Sequence, residues 1–212
     1  MYTIKKINTD AINENTWSNI QPIKIENYPW DKTGYKPHTE VKLFYTDNEL
    51  KIKFTSSEKQ VRINETNFNG SVWHDSCVEF FFSPDPKNDS RYFNFEITAA
   101  GVLLLQIGIN GSERHSMTYI NPDSFKIKAI VTQDNYKDFD DFKPWTVEYE
   151  IPFIFIKDLF PNFEAKSGNS IKGNFYKCGN KTLTPHFGAW ANIVNEVPAF
   201  HRPQFFQNII FE

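Results

Sequence analysis

Cysteine and glycine are scarce in this sequence, with 2 Cys and 9 Gly among 212 residues. Cys77 and Cys178 are too few for the disulfide framework that holds small secreted domains together, and neither belongs to a CxxC pair. We expect both to be buried free thiols, because free cysteine behaves as a small apolar residue. A single bridge between them is the alternative.

Long apolar runs are also lacking. No run reaches the length needed to cross a membrane, and the first 25 residues contain no apolar core of a signal peptide. As written, the sequence predicts a cytoplasmic protein with no membrane partner, and it leaves an exported form open.

Neither sign of charge dominates. The chain has 23 Lys and Arg against 26 Asp and Glu, a formal net charge of -3, so no strong positive field would attract a polyphosphate. GxGxxG, GxxxxGK[ST] and GxSxG motifs are absent. These observations argue against nucleic acid as a partner and against nucleotide or serine-hydrolase chemistry.

Spacing typical of a transition-metal site is missing as well. His74 and Cys77 have an H-x-x-C spacing, but no second pair at a zinc spacing accompanies them. We therefore predict no cofactor and no metal ligands. A structural calcium ion bound by Asp or backbone oxygens stays open, although no calcium-binding loop is readable in the sequence.

Aromatic residues, in contrast, are abundant. They form 17% of the chain, with 21 Phe, 9 Tyr and 5 Trp. This exceeds what a routine core requires, so part of the surplus could form a recognition surface.

Alternation of apolar and polar residues runs along the whole chain and predicts strands with one buried face. It is clear in Leu50–Phe54, Phe125–Lys128 and Trp145–Ile151. Segments 78–83, 91–98 and 102–108 follow one another with short loops, which predicts an antiparallel meander. Helical periodicity is limited to Phe153–Phe160. We predict one all-β domain over residues 1–212, an antiparallel β-sandwich of immunoglobulin-like or jelly-roll type with little helix.

Candidate binding residues lie in the predicted meander and just before it. Trp73 precedes a strong strand, where its indole could present a flat apolar face to a sugar ring, although a core position is the alternative. Glu79 lies within an apolar run, so it should face a wet groove or have a partner. Asn94 and Glu96 share one strand face by the period of two, as either a binding patch or an ordinary solvated face.

Several motifs in order resemble the carbohydrate-binding family 9 proteins. They are Tyr28–Trp30, Lys36–Pro37, Val72–Phe81, Tyr92–Glu96 with Gly101, Asn174–Gly179, Pro185–Phe187, Ala189–Trp190 and Pro198–Pro203 with Phe205–Phe206. The resemblance spans nearly the full chain. It implies a β-sandwich in which two Trp side chains, here Trp73 and Trp190, clamp a terminal sugar while Glu79 binds hydroxyl groups.

The sequence thus predicts a non-catalytic module with a saccharide as its ligand. One alternative is a glycan-active enzyme that uses Glu79 with Glu96 or Asp75 as its pair of acids. The other is an interaction or sensory domain that has lost sugar affinity. The sequence does not indicate the oligomeric state.

Overall fold

The computed structural model describes residues 1–13, 15–132, 134–135 and 141–212. Its strands are β1 (Tyr2–Lys6), β2 (Ile23–Lys24), β3 (Thr39–Tyr45), β4 (Glu49–Glu58), β5 (Cys77–Ser83), β6 (Tyr92–Thr98), β7 (Leu103–Gly108), β8 (Arg114–Ser116), β9 (Lys128–Ile130), β10 (Lys143–Pro152), β11 (Ser170–Gly179), β12 (His186–Ala189) and β13 (Gln207–Phe211). The α-helix α1 spans Phe153–Leu159, and short 3-10 helices span Thr9–Ala11, Thr16–Asn19, Val72–His74, Pro122–Phe125 and Pro203–Phe205.

These strands form one long hydrogen-bonded path that divides at β1. The order is β8-β7-β6-β5-β11-β13-β1-β3-β4-β10-β9, with β12 beside β11 and β2 beside β3. Tyr2–Ile4 of β1 pair with β13, whereas Lys5 and Lys6 pair with β3. We call the strands from β8 to β13, with β12, the first half and those from β3 to β9, with β2, the second half.

The two halves pack face to face through aromatic side chains. Phe54 of β4 lies 6.1 Å, between ring centroids, from Phe175 of β11. Phe95 of β6 stacks on Tyr149 of β10 at 6.0 Å. Alternation places Leu50, Ile52 and Phe54 of β4 in this core, as the sequence predicts for that strand. Burial of so many large side chains is the main stabilising contribution.

The first half is covered on both faces, and this is what creates a site. On β5, Val78, Phe80 and Phe82 enter the core between the halves. Cys77 and Phe81 point the other way, into a second apolar cluster with residues that include Tyr176 and Phe200. We call this second side of β5, β6 and β11 the outer face.

Two expectations about strands need correction. The sheet is mixed rather than purely antiparallel, because β1 runs parallel to both β13 and β3. The segment from Phe125 to Lys128 is not a strand throughout. Asn121 accepts a hydrogen bond from the Asp123 backbone N–H and caps a 3-10 helix, and Lys126 then adopts φ 46°, so β9 begins only at Lys128. This turn chemistry outweighs the short alternation.

Other expectations are confirmed. The meander is β5-β6-β7, antiparallel throughout, and the predicted helix is α1. Along the part of the chain that the structure describes, no helix has the length and apolar character needed to cross a membrane.

Candidate functional site

A pocket of about 220 Å³ opens on the outer face of the first half. Its lining includes Trp73, Phe187 and residues 198–201 around the opening, and Glu79, Glu96 and Arg114 beneath them. We call the first group the walls and the second the floor. Aromatic surface beside a few convergent polar groups is the usual composition of a small-ligand site.

Trp73 forms one wall because its backbone is fixed while its ring is not buried. It lies in the 3-10 helix Val72–His74, in which Val72 is fully buried and anchors the turn. The Trp73 carbonyl accepts hydrogen bonds from the backbone N–H of Asn180 at 3.2 Å and from the Cys178 thiol at 3.5 Å. The side chain remains 37% exposed. Trp73 is therefore a held platform rather than a core residue.

Phe187 and Phe200 supply the other aromatic surface. Phe187 belongs to β12, where it is the register partner of Cys178. Phe200 stacks on Tyr176 at 4.3 Å between ring centroids and thereby ties the segment around residue 200 to β11. Sequence reasoning missed both as site residues, although Phe187 and Phe200 lie within the motifs that carry the family resemblance.

The floor contains two nearly buried carboxyl groups. Glu79 of β5 and Glu96 of β6 are register partners, exposed by only 2% and 3%. Burial raises the pKa of Glu79 well above its usual value, and the nearby Glu96 raises it further. Burial also raises the pKa of Glu96 to about 7, against the opposing effect of Arg114. Both shifts favour the neutral carboxylic acid, which can donate a hydrogen bond as well as accept one.

Asn94 and Arg114 surround Glu96. The Asn94 side-chain amide donates to Glu96 Oε1 at 3.0 Å and to Gln106 Oε1 at 3.3 Å. Gln106 Oε1 also accepts from Arg114 Nε at 2.7 Å. Asn94 Oδ1 is buried and has no hydrogen-bond partner within the described ranges. Asn94 lies beside Glu96 on the same strand face without lining the pocket, whereas Arg114, which the sequence did not indicate, lines the pocket itself.

Trp190 does not line this pocket. Its ring is half-buried, lies 5.7 Å from that of Phe175 and packs against the core between the halves. Its backbone N–H donates to the Phe175 carbonyl at 2.9 Å. The fold thus brings Trp73, Glu79 and Glu96 together and directs Trp190 to the opposite side of the strand.

Asp75 does not line the pocket either. It is fully buried and binds the Arg62 guanidinium, while its other oxygen accepts from the backbone N–H groups of Asn64 and Glu65, both at 2.7 Å. These contacts hold the loop at residues 62–65. They do not present Asp75 to a ligand in the pocket.

A charged cluster behind the site was not predicted. Lys177 Nζ lies 3.0 Å from Glu58 Oε1, and neither side chain is exposed. Lys177 also contacts His186 Nε2 at 2.9 Å. Burial lowers the pKa of His186 well below its usual value, and the Lys177 charge lowers it further. His186 is therefore neutral and lies beside the ion pair of Glu58 and Lys177.

Three side chains on the outer face could hold a metal ion. Ligand atoms of Cys77, Glu79 and Cys178 all lie within 4.8 Å of one another. Both cysteines are buried and free, as the sequence predicts.

Together, the aromatic walls and the polar floor define a mostly β binding protein for a small ligand with both apolar and polar faces. The model of carbohydrate-binding family 9 matches residues 10–211, so the chain belongs to this family. No curated protein matches it significantly.

Three solved structures with similar folds differ in how similar their sequences are to this chain. A candidate carbohydrate-binding protein from Bacteroides uniformis is 32% identical, with a TM-score of 0.84 over 99% of this chain and 98% of its own. A family 9 module from Caldicellulosiruptor kristjanssonii in complex with cellotriose is 12% identical, with a TM-score of 0.65 over 100% of this chain and 93% of its own. Such a module in complex with glucose is 13% identical, with a TM-score of 0.63 over 98% and 95%. The last two likenesses support the shared fold.

Proposed function

We propose that this chain is a non-catalytic domain that binds the terminal sugar of a glycan, or a small saccharide, between Trp73 and Phe187. The observation that carries the proposal is the combination, in one pocket, of aromatic walls with the polar floor of Glu79, Glu96 and Arg114. A sugar ring has apolar C–H faces that pack on aromatic rings and a hydroxyl rim that needs fixed polar partners. The two sets of groups are placed to serve both needs.

The size of the pocket favours one sugar ring over a long chain segment. Its volume of about 220 Å³ is below the roughly 300–1,000 Å³ of sites for drug-sized ligands. Glucose and cellotriose, which occupy the Caldicellulosiruptor kristjanssonii modules, are therefore sensible first ligands to test.

The roles in this proposal differ from a clamp of two Trp rings. Phe187 takes the place of the second ring, and Trp190 supports the site indirectly through Phe175. Glu79 and Glu96 bind hydroxyl groups, and Asn94 orients Glu96 through its 3.0 Å hydrogen bond. We also propose to describe the two facing halves of the fold as a β-sandwich, because each contributes one face to the shared core.

The raised pKa values of Glu79 and Glu96 make a glycosidase the second candidate. A retaining glycosidase holds its two carboxyl groups about 5–5.5 Å apart on either side of the scissile bond. Glu79 and Glu96 are register partners on neighbouring strands, so both carboxyl groups rise from one floor rather than from two sides that could flank the bond. This placement favours binding. A domain without sugar affinity is the third candidate.

The test is calorimetric titration with glucose, cellobiose, cellotriose and xylo-oligosaccharides, followed by product analysis of each mixture. We expect binding without released sugar, and at least ~10-fold weaker binding by Trp73→Ala, which corresponds to about 1.4 kcal/mol. The matched control is Trp17→Ala, because Trp17 packs on Phe44 in the second half.

Each other result would point elsewhere. No binding of any saccharide would favour the interaction domain. Sugar release by the wild type, abolished by Glu79→Gln, would favour the enzyme. Equal losses in the Trp73 and Trp17 variants would mean that the pocket has been misassigned.

A further inference from the structure

Cys77, Glu79 and Cys178 form a compact set of possible ligands that the sugar-binding proposal uses only in part. Cys77 and Cys178 are register partners on the neighbouring strands β5 and β11. Glu79 follows Cys77 by two residues and so lies on the same outer face. All three side chains are buried, and their sulfur and oxygen atoms lie within 4.8 Å of one another.

We propose that these three side chains bind one thiophilic divalent cation, Zn²⁺ in the first place. With Zn–S of about 2.3 Å and Zn–O of about 2.0 Å, a tetrahedral site has ligand separations of roughly 3.8 Å between sulfurs and 3.5 Å between sulfur and oxygen. The Cys77 Sγ to Glu79 Oε1 distance is 3.7 Å. This pair already has about the separation of a tetrahedral site, and because every separation lies within 4.8 Å the other two need to close by at most about 1.3 Å.

The ligand types select the metal. Two thiol sulfurs are soft ligands that suit Zn²⁺ and disfavour Ca²⁺ or Mg²⁺, which prefer oxygen. The calcium ion left open by the sequence would find only the Glu79 oxygens in this cluster. Spacing alone could not reveal the site, because Cys178 follows Cys77 by about a hundred residues and only the pairing of β5 with β11 brings them together.

Three protein ligands leave one position of a tetrahedral ion open. Cys178 and Glu79 both line the pocket, so the open position faces the pocket. A water molecule or a ligand oxygen would complete the coordination there, as in zinc sites that have three protein ligands. This inference goes beyond the proposed function, because metal binding does not require that the pocket accept a sugar.

The test uses the full chain, reduced and freed of metal, under anaerobic conditions. Titration with Co²⁺ should give one equivalent bound, with a thiolate-to-cobalt charge-transfer band and the visible bands of a tetrahedral ion. Added Zn²⁺ should remove both. Cys178→Ser should lose part of the charge-transfer intensity, because one of the two thiolates is gone. It should also bind Co²⁺ ~100-fold or more weakly, since loss of a residue that only hydrogen-bonds to a metal ligand already costs roughly 10–100-fold in metal affinity.

Three further variants keep the outcome decisive. Glu79→Gln retains both thiols and the side-chain shape, so it should fold, keep the charge-transfer band and bind Co²⁺ at least ~10-fold more weakly. His115→Ala removes an exposed histidine outside the pocket lining and should change nothing. Trp73→Ala should lose sugar affinity but keep the metal, which separates failure of this inference from failure of the proposed function.

A reduced wild type without a thiolate band at one equivalent would overturn the proposal. So would a band of unchanged intensity in Cys178→Ser, or a binding loss confined to His115→Ala. If the two thiols instead form a disulfide that persists under these reducing conditions, no band appears and the proposal is equally overturned.

Discussion

Replacement of Lys177 by Met tests whether the charged cluster behind the site stabilises the fold. Lys177 is fully buried, and its Nζ lies 3.0 Å from Glu58 Oε1 and 2.7 Å from the Cys178 carbonyl that accepts its hydrogen bond. Met has a similar length and no charge. Lys177→Met therefore removes the cation with little loss of packing and leaves the Glu58 carboxylate buried without its ammonium partner.

The expected loss follows from the groups that remain around Glu58. Breaking a buried ion pair by removing one partner costs about 3–5 kcal/mol. The donors that stay in place include Trp145 Nε1, which donates to Glu58 Oε1, and Ser76 Oγ, which donates to Glu58 Oε2, each at 3.0 Å. We therefore expect the lower end, about 3 kcal/mol. At about 2–4 °C per kcal/mol for a chain of this size, the Tm should fall by roughly 6–12 °C.

The assay is denaturant unfolding of four proteins: wild type, Lys177→Met, Glu58→Gln and the double variant. It should be run near pH 8, because His186 lies 3.6 Å from Glu58 Oε2 and its protonation at lower pH would replace part of the lost charge. In the double variant both charges are absent, and the side-chain amide introduced by Glu58→Gln can still accept a hydrogen bond from Trp145. This variant should recover at least half of the Lys177→Met loss. A single-variant loss below about 1 kcal/mol, or a double variant less stable than Lys177→Met, would refute the reasoning.

Three further outcomes are expected. Phe187→Ala should weaken glucose or cellotriose binding about 10-fold in calorimetric titration, because it removes an aromatic ring from the same pocket lining as Trp73; unchanged affinity would remove Phe187 from the site. Burial, with a smaller effect of Arg114, lowers the pKa of His201 to about 3. The unfolded chain therefore binds a proton at His201 below about pH 6.5 while the folded chain does not, so the free energy of unfolding decreases as the pH is lowered. When the pH is lowered from 7 to 5, the free energy of unfolding of His201→Gln should decrease by about 2 kcal/mol less than that of the wild type. Parallel pH dependences of the two proteins in denaturant unfolding would contradict this. Thiol labelling should detect both Cys77 and Cys178 only after unfolding, whereas rapid labelling of the native protein would contradict their burial.

Alternation along single strands accounts for much of what the sequence could predict. The period of two correctly places Asn94 and Glu96 on one face of β6, because Phe93, Phe95 and Ile97 fill the core on the other. The same rule explains the position of Trp190. In β12, Phe187 is the register partner of Cys178 and lies on the outer face. Trp190 directly follows β12 and comes an odd number of residues after Phe187, so it points to the other face, toward Phe175.

Contacts between distant segments could not be predicted in this way. Arg114 reaches the pocket from β8, a strand of three residues with no clear pattern. Glu58 and Lys177 are separated by more than a hundred residues, and nothing in either segment names the other as its partner. Alternation alone would have placed Lys177 in solvent, because its neighbours Tyr176 and Cys178 are the apolar residues on either side of it. Lys177 is buried because β11 is covered on both faces, and a buried lysine requires a partner.

The charged cluster and the pocket occupy opposite faces of the same strands. Lys177 faces inward to Glu58, and the next residue, Cys178, lines the pocket. His186 contacts Lys177, and the next residue, Phe187, forms a wall.

The start of β5 follows the same arrangement. Ser76 donates to Glu58, and the next residue, Cys77, lies on the outer face beside Glu79. Each inward contact fixes a backbone position whose neighbour serves the site. Side chains that are locked from behind lose less conformational freedom when a ligand binds, because the ordering has already occurred on folding. We therefore expect the cluster to serve the proposed binding as well as stability, since its contacts fix the backbone beside the Phe187 wall and beside Cys77 and Cys178.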